Sequence, residues 1–154
     1  MRSVLFIAVA IAAVSACAKK DTGASDSSAA AAMAPAGLTA AQLAGTWNGM
    51  SIPEGSDTAT IRWTSIASET SSDIKVITQG QPDTVIYTRT IDADSLMVTS
   101  APFTPPQPPG SAQVINRASG RLVDGKLAGT YVTVLASKPD SVIQRGRWEA
   151  TRVP

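Results

Sequence analysis

The side chains best suited to acid–base or nucleophilic chemistry are scarce in this chain, which has no histidine and a single cysteine, Cys17. The absence of histidine excludes Ser-His-Asp triads, imidazole proton relays and histidine-ligated metals. Ser72 and Lys75 have the spacing at which a lysine amine on a helical turn can activate a serine hydroxyl. Here the pair begins a predicted strand, and the partner motifs S-D-N and K-T-G are absent, so we expect no Ser-Lys nucleophile.

Carboxylates are the other candidates for chemistry. Asp92 and Asp94 are separated by one alanine, a pattern that a calcium or paired-carboxylate site could use. They fall in a predicted turn, where aspartate is favoured because its side chain caps the local backbone. Glu149 stands inside a predicted strand, on the face read as outward. The sequence therefore predicts no metal site, no cofactor and no catalytic site, and we expect the protein not to be an enzyme.

Aromatic and cationic side chains remain as candidates for binding. Arg89 shares a strand face with Val85, Tyr87 and Ile91. If that face is inward, the guanidinium could meet an anionic ligand head group; if outward, its stem would lie over apolar neighbours. The candidate ligand contacts are Trp63, Tyr87, Arg89, Phe103, Tyr131 and Trp148.

Phe103 belongs to a proline-rich segment, 101–110. Proline lacks the N–H that a central strand needs, so this segment predicts a stiff, polyproline-like loop. Such a loop could be a lid over a barrel mouth, a docking segment for a partner, or a connection only.

The elements that must position these residues are short strands separated by turn signals. Thr, Val, Ile and Tyr dominate the strands, as a pleated surface favours, and Asp124-Gly125 is the strongest two-residue hairpin signal. The turns include one at 138–140. The predicted strands are 46–52, 58–66, 73–78, 84–91, 95–100, 112–122, 126–135 and 142–152.

No amphipathic helix of useful length follows residue 44, so short connections must join antiparallel neighbours. We therefore predict an all-β fold, a single eight-stranded antiparallel up-and-down barrel, with a two-sheet sandwich as the alternative. One face of the last strand carries Val142, Gln144, Gly146, Trp148 and Ala150. This mixture of aromatic, small and polar residues is compatible with a partly polar cavity.

The predicted domain opens with a short helical turn over 39–44. Thr39 and Gln42 fit a capping box, Leu38 and Leu43 fit a hydrophobic staple, and Gly45 ends the turn. The strand signal begins directly afterwards.

Gly45-Thr46-Trp47 in this context resembles the G-x-W signature of lipocalin-like (calycin) barrels, and avidin-like barrels also begin with such a Gly-Thr-Trp. The resemblance implies a tryptophan that packs across the barrel floor. It also implies an arginine of the last strand over that tryptophan, in a cation–π contact. Arg147 and Arg152 are the candidates, and no biotin-contact set is carried over.

The amino terminus has a basic residue, an apolar run over 4–14 and small residues before Cys17, which is the pattern of a secretory signal. A bilayer-spanning helix needs about 20 apolar residues, so the run is too short to be an anchor. Val14-Ser15-Ala16-Cys17 resembles the bacterial lipobox. The resemblance implies cleavage before Cys17 and its lipidation, and two or more acyl chains give stable anchoring.

Three segments follow from these patterns: a signal peptide over 1–16, a lipidated cysteine with a flexible linker over 17–37, and a barrel domain over 38–154. The formal net charge of +1 offers no basic field for nucleic acid. Ala18, where family members retained in the inner membrane carry Asp, favours the outer membrane, on its periplasmic face or surface-exposed.

We expect an envelope lipoprotein whose barrel binds a small apolar or amphipathic molecule. The alternative is a non-catalytic structural module that docks an envelope protein or polymer through its loops.

Overall fold

The computed structural model describes residues 37–58, 61–105 and 112–154. The predicted signal peptide, Cys17, nearly all of the predicted linker and most of the proline-rich segment lie outside these ranges. In the described part of the chain, the one helix is too short to cross a bilayer. The elements are α1 (Ala40–Leu43), β1 (Gly45–Pro53), β2 (Ile61–Ala67), β3 (Asp73–Thr78), β4 (Thr84–Asp92), β5 (Ser95–Ser100), β6 (Val114–Val123), β7 (Lys126–Leu135) and β8 (Lys138–Arg152).

The eight strands form a closed barrel in chain order, and every neighbouring pair is antiparallel. β1 also pairs with β8, with Trp47 opposite Arg152 and Pro53 opposite Gly146. Closure leaves no unpaired sheet edge, which is the physical advantage of a barrel over an open sheet. The predicted all-β barrel is therefore confirmed, and the sandwich alternative is not what the chain adopts.

The entry turn forms as the capping-box residues predict. The Thr39 amide donates to Gln42 Oε1 at 2.8 Å, and the Gln42 amide donates to Thr39 Oγ1 at 3.3 Å. Gly45 has φ of 111°, a conformation that side chains with a Cβ rarely adopt. It lets the chain leave α1 and enter β1 without a loop, so Leu43 is carried under the barrel and buried.

The end of the β7–β8 hairpin differs from the prediction. The turn predicted at 138–140 is part of β8, and the chain reverses at 136–137 instead. Leu135 pairs with Lys138 but Val134 pairs with Val142, so a bulge absorbs the residues between. Pro139 lies in that bulge, where its missing N–H deprives no ladder partner. The proline therefore indicated an irregular strand and not a turn.

The barrel floor, the end that α1 covers, holds the main apolar cluster. Trp47 is 2% exposed and its Nε1 donates to the Leu43 carbonyl at 2.9 Å. The Arg152 guanidinium lies 4.8 Å from the centre of the Trp47 ring and donates to the Gln42 carbonyl. Arg147 pairs with Ile52, further along β1, so of the two candidate arginines the structure places Arg152 over the tryptophan.

Candidate functional site

A cavity of about 150 Å³ lies inside the barrel and is bordered by α1 and by all eight strands. Its floor is apolar, because Leu43, Trp47, Leu96 and Leu127 converge there. The lining residues are Leu43, Trp47, Ser51, Ile61, Trp63, Ser65, Ala67, Ile74, Val76, Thr78, Tyr87, Leu96, Val98, Asn116, Ala118, Leu127, Tyr131, Thr133, Gln144, Trp148 and Ala150.

Two tryptophans form a continuous aromatic part of the cavity wall. The ring centres of Trp63 and Trp148 are 6.1 Å apart, and the ring planes are tilted by 55°. Trp63 Nε1 donates to Ser51 Oγ at 3.0 Å, and Trp148 Nε1 donates to the Thr130 carbonyl at 3.2 Å. Both indole N–H groups are thus satisfied by the protein, so what the pair offers a ligand is apolar ring surface.

Glycines in the strands make room for these rings. A Cβ at Gly49 would lie 2.3 Å from the Trp63 ring, and one at Gly120 would lie 2.4 Å from the Trp148 ring. A Cβ at Gly146 would lie 2.5 Å from the Tyr131 ring. These distances are far inside van der Waals contact, so the rings occupy the space that the missing side chains leave.

A hydrogen-bonded network forms a polar part of the wall. Asn116 Nδ2 donates to the Tyr87 hydroxyl at 3.0 Å, and Thr133 Oγ1 donates to Asn116 Oδ1 at 2.8 Å. The backbone N–H of Asn116 donates to Ser100 Oγ at 2.9 Å, which ties β6 to β5. Burial raises the pKa of Tyr87, and the bond from Asn116 offsets this only in part. The phenol therefore remains neutral at physiological pH.

Tyr131 presents the one buried hydroxyl of the cavity wall that has no hydrogen-bond partner among the described residues. The side chain is 8% exposed, and burial raises the pKa of this phenol too. An unpaired buried hydroxyl costs about 1–3 kcal/mol relative to a paired one. The Tyr131 hydroxyl is therefore a buried hydrogen-bond donor without an acceptor among the described residues.

Arg89 is inward and only 7% exposed, so the outward alternative considered for it is wrong. Its guanidinium does not reach the cavity: Nη2 donates to the Ser68 carbonyl at 2.7 Å and to the Glu69 carbonyl at 3.3 Å. Arg89 thus holds the loop between β2 and β3, and no contact with an anionic ligand in the cavity follows from its position.

Phe103 also stands apart from the cavity. It is half-buried and pairs with Val114, to which its amide donates at 3.0 Å and from whose amide it accepts at 2.8 Å. This bridge continues the pairing of β6 past the end of β5 and fixes the start of the proline-rich segment. Of the six candidate contacts, Trp63, Tyr87, Tyr131 and Trp148 line the cavity, whereas Arg89 and Phe103 do not.

The lining side chains carry no formal charge. In the described ranges no group of three or more Cys, Asp or Glu residues is placed to hold a metal ion. Asp94 pairs with Arg121 at 3.5 Å on the surface, as a turn aspartate can. Sequence reasoning did not single out Ser51 or Asn116. Extending the alternation of inward residues along β1 and β6 is the signal that would have found both.

Comparison with protein-family models, with curated proteins and with solved structures found no match to this chain.

Proposed function

We propose that this protein is a membrane-anchored lipoprotein whose barrel binds a small apolar or amphipathic molecule. The observation that carries the proposal is the interior cavity, which has an apolar floor, two indole rings and a hydrogen-bonding wall. Ligand sites in proteins have this composition, mostly apolar with a few placed polar groups.

The size of the cavity supports a small ligand. Sites for drug-sized molecules occupy about 300–1,000 Å³, whereas this cavity is about 150 Å³. An apolar cavity of roughly that volume is enough for a benzene-sized molecule. The ligand we propose is therefore nearer in size to a single ring than to a long acyl chain.

Anchoring through Cys17 would place this barrel at a membrane surface in the cell envelope. The support is the sequence resemblance to a lipobox, together with a barrel that begins well after it, at α1. Amphipathic molecules concentrate at such surfaces because their apolar parts leave water. A tethered barrel with an apolar interior suits the capture of such molecules.

Native mass spectrometry tests the binding function. The full chain carrying Cys17→Ala keeps every barrel residue, removes the predicted lipid, and would be purified from an expressing bacterium without detergent. A reproducible extra mass that disappears on denaturation is the expected result. A bare mass, unchanged after incubation with a lipid extract, would contradict binding.

A bare mass would favour the second candidate, a docking module. The observation for it is three outward isoleucines on adjacent strands around Lys75: Ile66 of β2, Ile77 of β3 and Ile86 of β4 are each 37–44% exposed. Exposed apolar patches are a common feature of protein interaction sites. Crosslinking from cysteines introduced at these positions in intact cells would then identify the docked protein.

A further inference from the structure

We infer that the cavity selects an uncharged, single-ring ligand carrying an oxygen that accepts a hydrogen bond from the Tyr131 hydroxyl, in other words a phenol-like molecule. This inference rests on the proposed binding function and narrows it to a chemical class.

The first step concerns charge. No lining side chain is ionic. Arg89 Nη2 donates to the Ser68 and Glu69 carbonyls, and its buried Nη1 has no partner among the described residues, but the side chain does not line the cavity. Arg152 donates to the Gln42 carbonyl beside the Trp47 ring. A charged ligand would lose its hydration in the cavity and find no counter-ion in its wall. Because an uncompensated buried charge costs several kcal/mol, the cavity discriminates against anions and cations alike.

The second step concerns shape. Trp63 and Trp148 are tilted to each other by 55° and present ring surface, since both N–H groups donate to the protein. Aromatic rings favour offset or edge-to-face neighbours, and a tilted pair offers both a face and an edge to a third ring. A cavity volume of about 150 Å³ leaves room for a ligand with one ring only.

The third step concerns the hydrogen bond. In the polar wall, Asn116 Oδ1 accepts from Thr133 and Asn116 Nδ2 donates one hydrogen to the Tyr87 hydroxyl. The Tyr131 hydroxyl is buried and has no partner among the described residues. Burial raises its pKa, so it keeps its proton and acts as a donor. A ligand oxygen on the ring would satisfy it, whereas a plain hydrocarbon of the same size would leave it unpaired.

Three probes of similar size test these steps: phenol, toluene and benzoate. Calorimetric titration at pH 7 of the full Cys17→Ala chain should show binding of phenol and no saturable binding of benzoate. The affinity ratio of phenol to toluene in this chain, divided by the same ratio in its Tyr131→Phe variant, cancels the different hydration of the two probes. We expect a quotient of about 3–10, the contribution of one neutral hydrogen bond.

Thr88→Val is the control, because it also removes one hydroxyl, but from the exposed face of β4, outside the cavity lining. Its phenol-to-toluene ratio should stay within about twofold of the parent. The comparison with benzoate uses the parent chain alone and so survives if Tyr131→Phe fails to fold.

The outcomes separate the two proposals. If neither phenol nor toluene binds and the native mass is bare, the binding function itself is overturned. A ligand mass, or binding of toluene, would keep the binding function. The phenol-like class alone is then overturned if benzoate binds as tightly as phenol, or if Tyr131→Phe leaves the phenol-to-toluene ratio unchanged.

Discussion

At the scale of single residues, the interior of this barrel is shaped by pairs of a glycine and a ring. Gly49, Gly120 and Gly146 each contact an aromatic ring so closely that a Cβ at the glycine would overlap the ring. Because the interiors of proteins are close-packed, the rings occupy the space next to the strand positions that have no side chain. The cavity that remains is bounded by these rings, and its width depends on the glycines.

Gly49→Ala tests this dependence. We expect it to lower the free energy of unfolding by about 1–3 kcal/mol, the usual cost of overpacking, because Trp63 must move. Urea denaturation measures the loss, and a shift of the tryptophan emission reports the ring movement. In a Trp63→Leu background the same alanine should cost much less; an equal cost in both backgrounds would show that the ring is not what the alanine meets.

Tyr87 gives the fold a dependence on alkaline pH. Burial raises its pKa above the ordinary value of 10.0, so the folded chain holds this proton more tightly than the unfolded chain does. The stability from this group is complete below about pH 10 and is lost as the pH rises through the folded-state pKa. Between pH 9 and 11, the free energy of unfolding measured by denaturation should fall less steeply for Tyr87→Phe than for the parent. Parallel curves would contradict the assignment.

At the scale of elements, α1, β1 and β8 are joined by one arginine. Arg152 near the end of β8 covers the Trp47 ring of β1 and donates to the Gln42 carbonyl of α1. Trp47 in turn donates to Leu43 of α1. The helical turn is far too short to be stable alone, so these contacts keep it over the barrel floor.

Arg152→Ala should therefore lower the free energy of unfolding by about 1–2 kcal/mol, from the lost cation–π contact and hydrogen bond. Arg147→Ala is the matched control, because Arg147 is exposed on the same strand and should change stability by no more than about 0.5 kcal/mol. Thermal or urea unfolding measures both. Equal losses would mean that the contact with Trp47 contributes nothing specific.

At the scale of the whole molecule, the barrel separates an uncharged cavity lining from a charged exterior. Aspartates occupy turns, as Asp94 and Asp124 do, while arginines such as Arg145 and Arg147 extend outward from strands. The cavity is thus insulated from the surface charge. In our proposal, the lipid on Cys17 supplies the connection to the membrane.

Cys17→Ser tests that connection. We expect the parent chain, isolated from the membrane fraction of an expressing bacterium, to begin at Cys17 and to carry added acyl mass, at about 0.8 kcal/mol of membrane affinity per buried CH₂. Cys17→Ser should lack the acyl mass, because the thioether needs the cysteine sulfur. Ser27→Ala, a change of similar size in the predicted linker, is the control and should be processed as the parent is. The same added mass on Cys17→Ser, or a parent without it, would contradict lipidation.

Local patterns in the sequence were enough to predict the elements and the closed barrel. The capping box at Thr39 and Gln42 and the turn at Asp124-Gly125 depend only on neighbours in the chain, and the structure forms both. Alternation along the last strand correctly placed Trp148 on an inward face, because side chains in a strand alternate with a fixed period.

Tertiary structure alone decided which inward atoms meet. The registers of β4 to β7 bring Ser100, Tyr87, Asn116 and Thr133 together. The Arg89 guanidinium of β4 meets the Ser68 carbonyl in the loop between β2 and β3, away from the cavity. Tertiary structure also decided that Pro139 lies in a bulge and that Arg152, not Arg147, covers Trp47. These outcomes depend on the register of each strand with its neighbours. In a closed barrel the register shifts of all the strands are linked, so no local sequence pattern determines them.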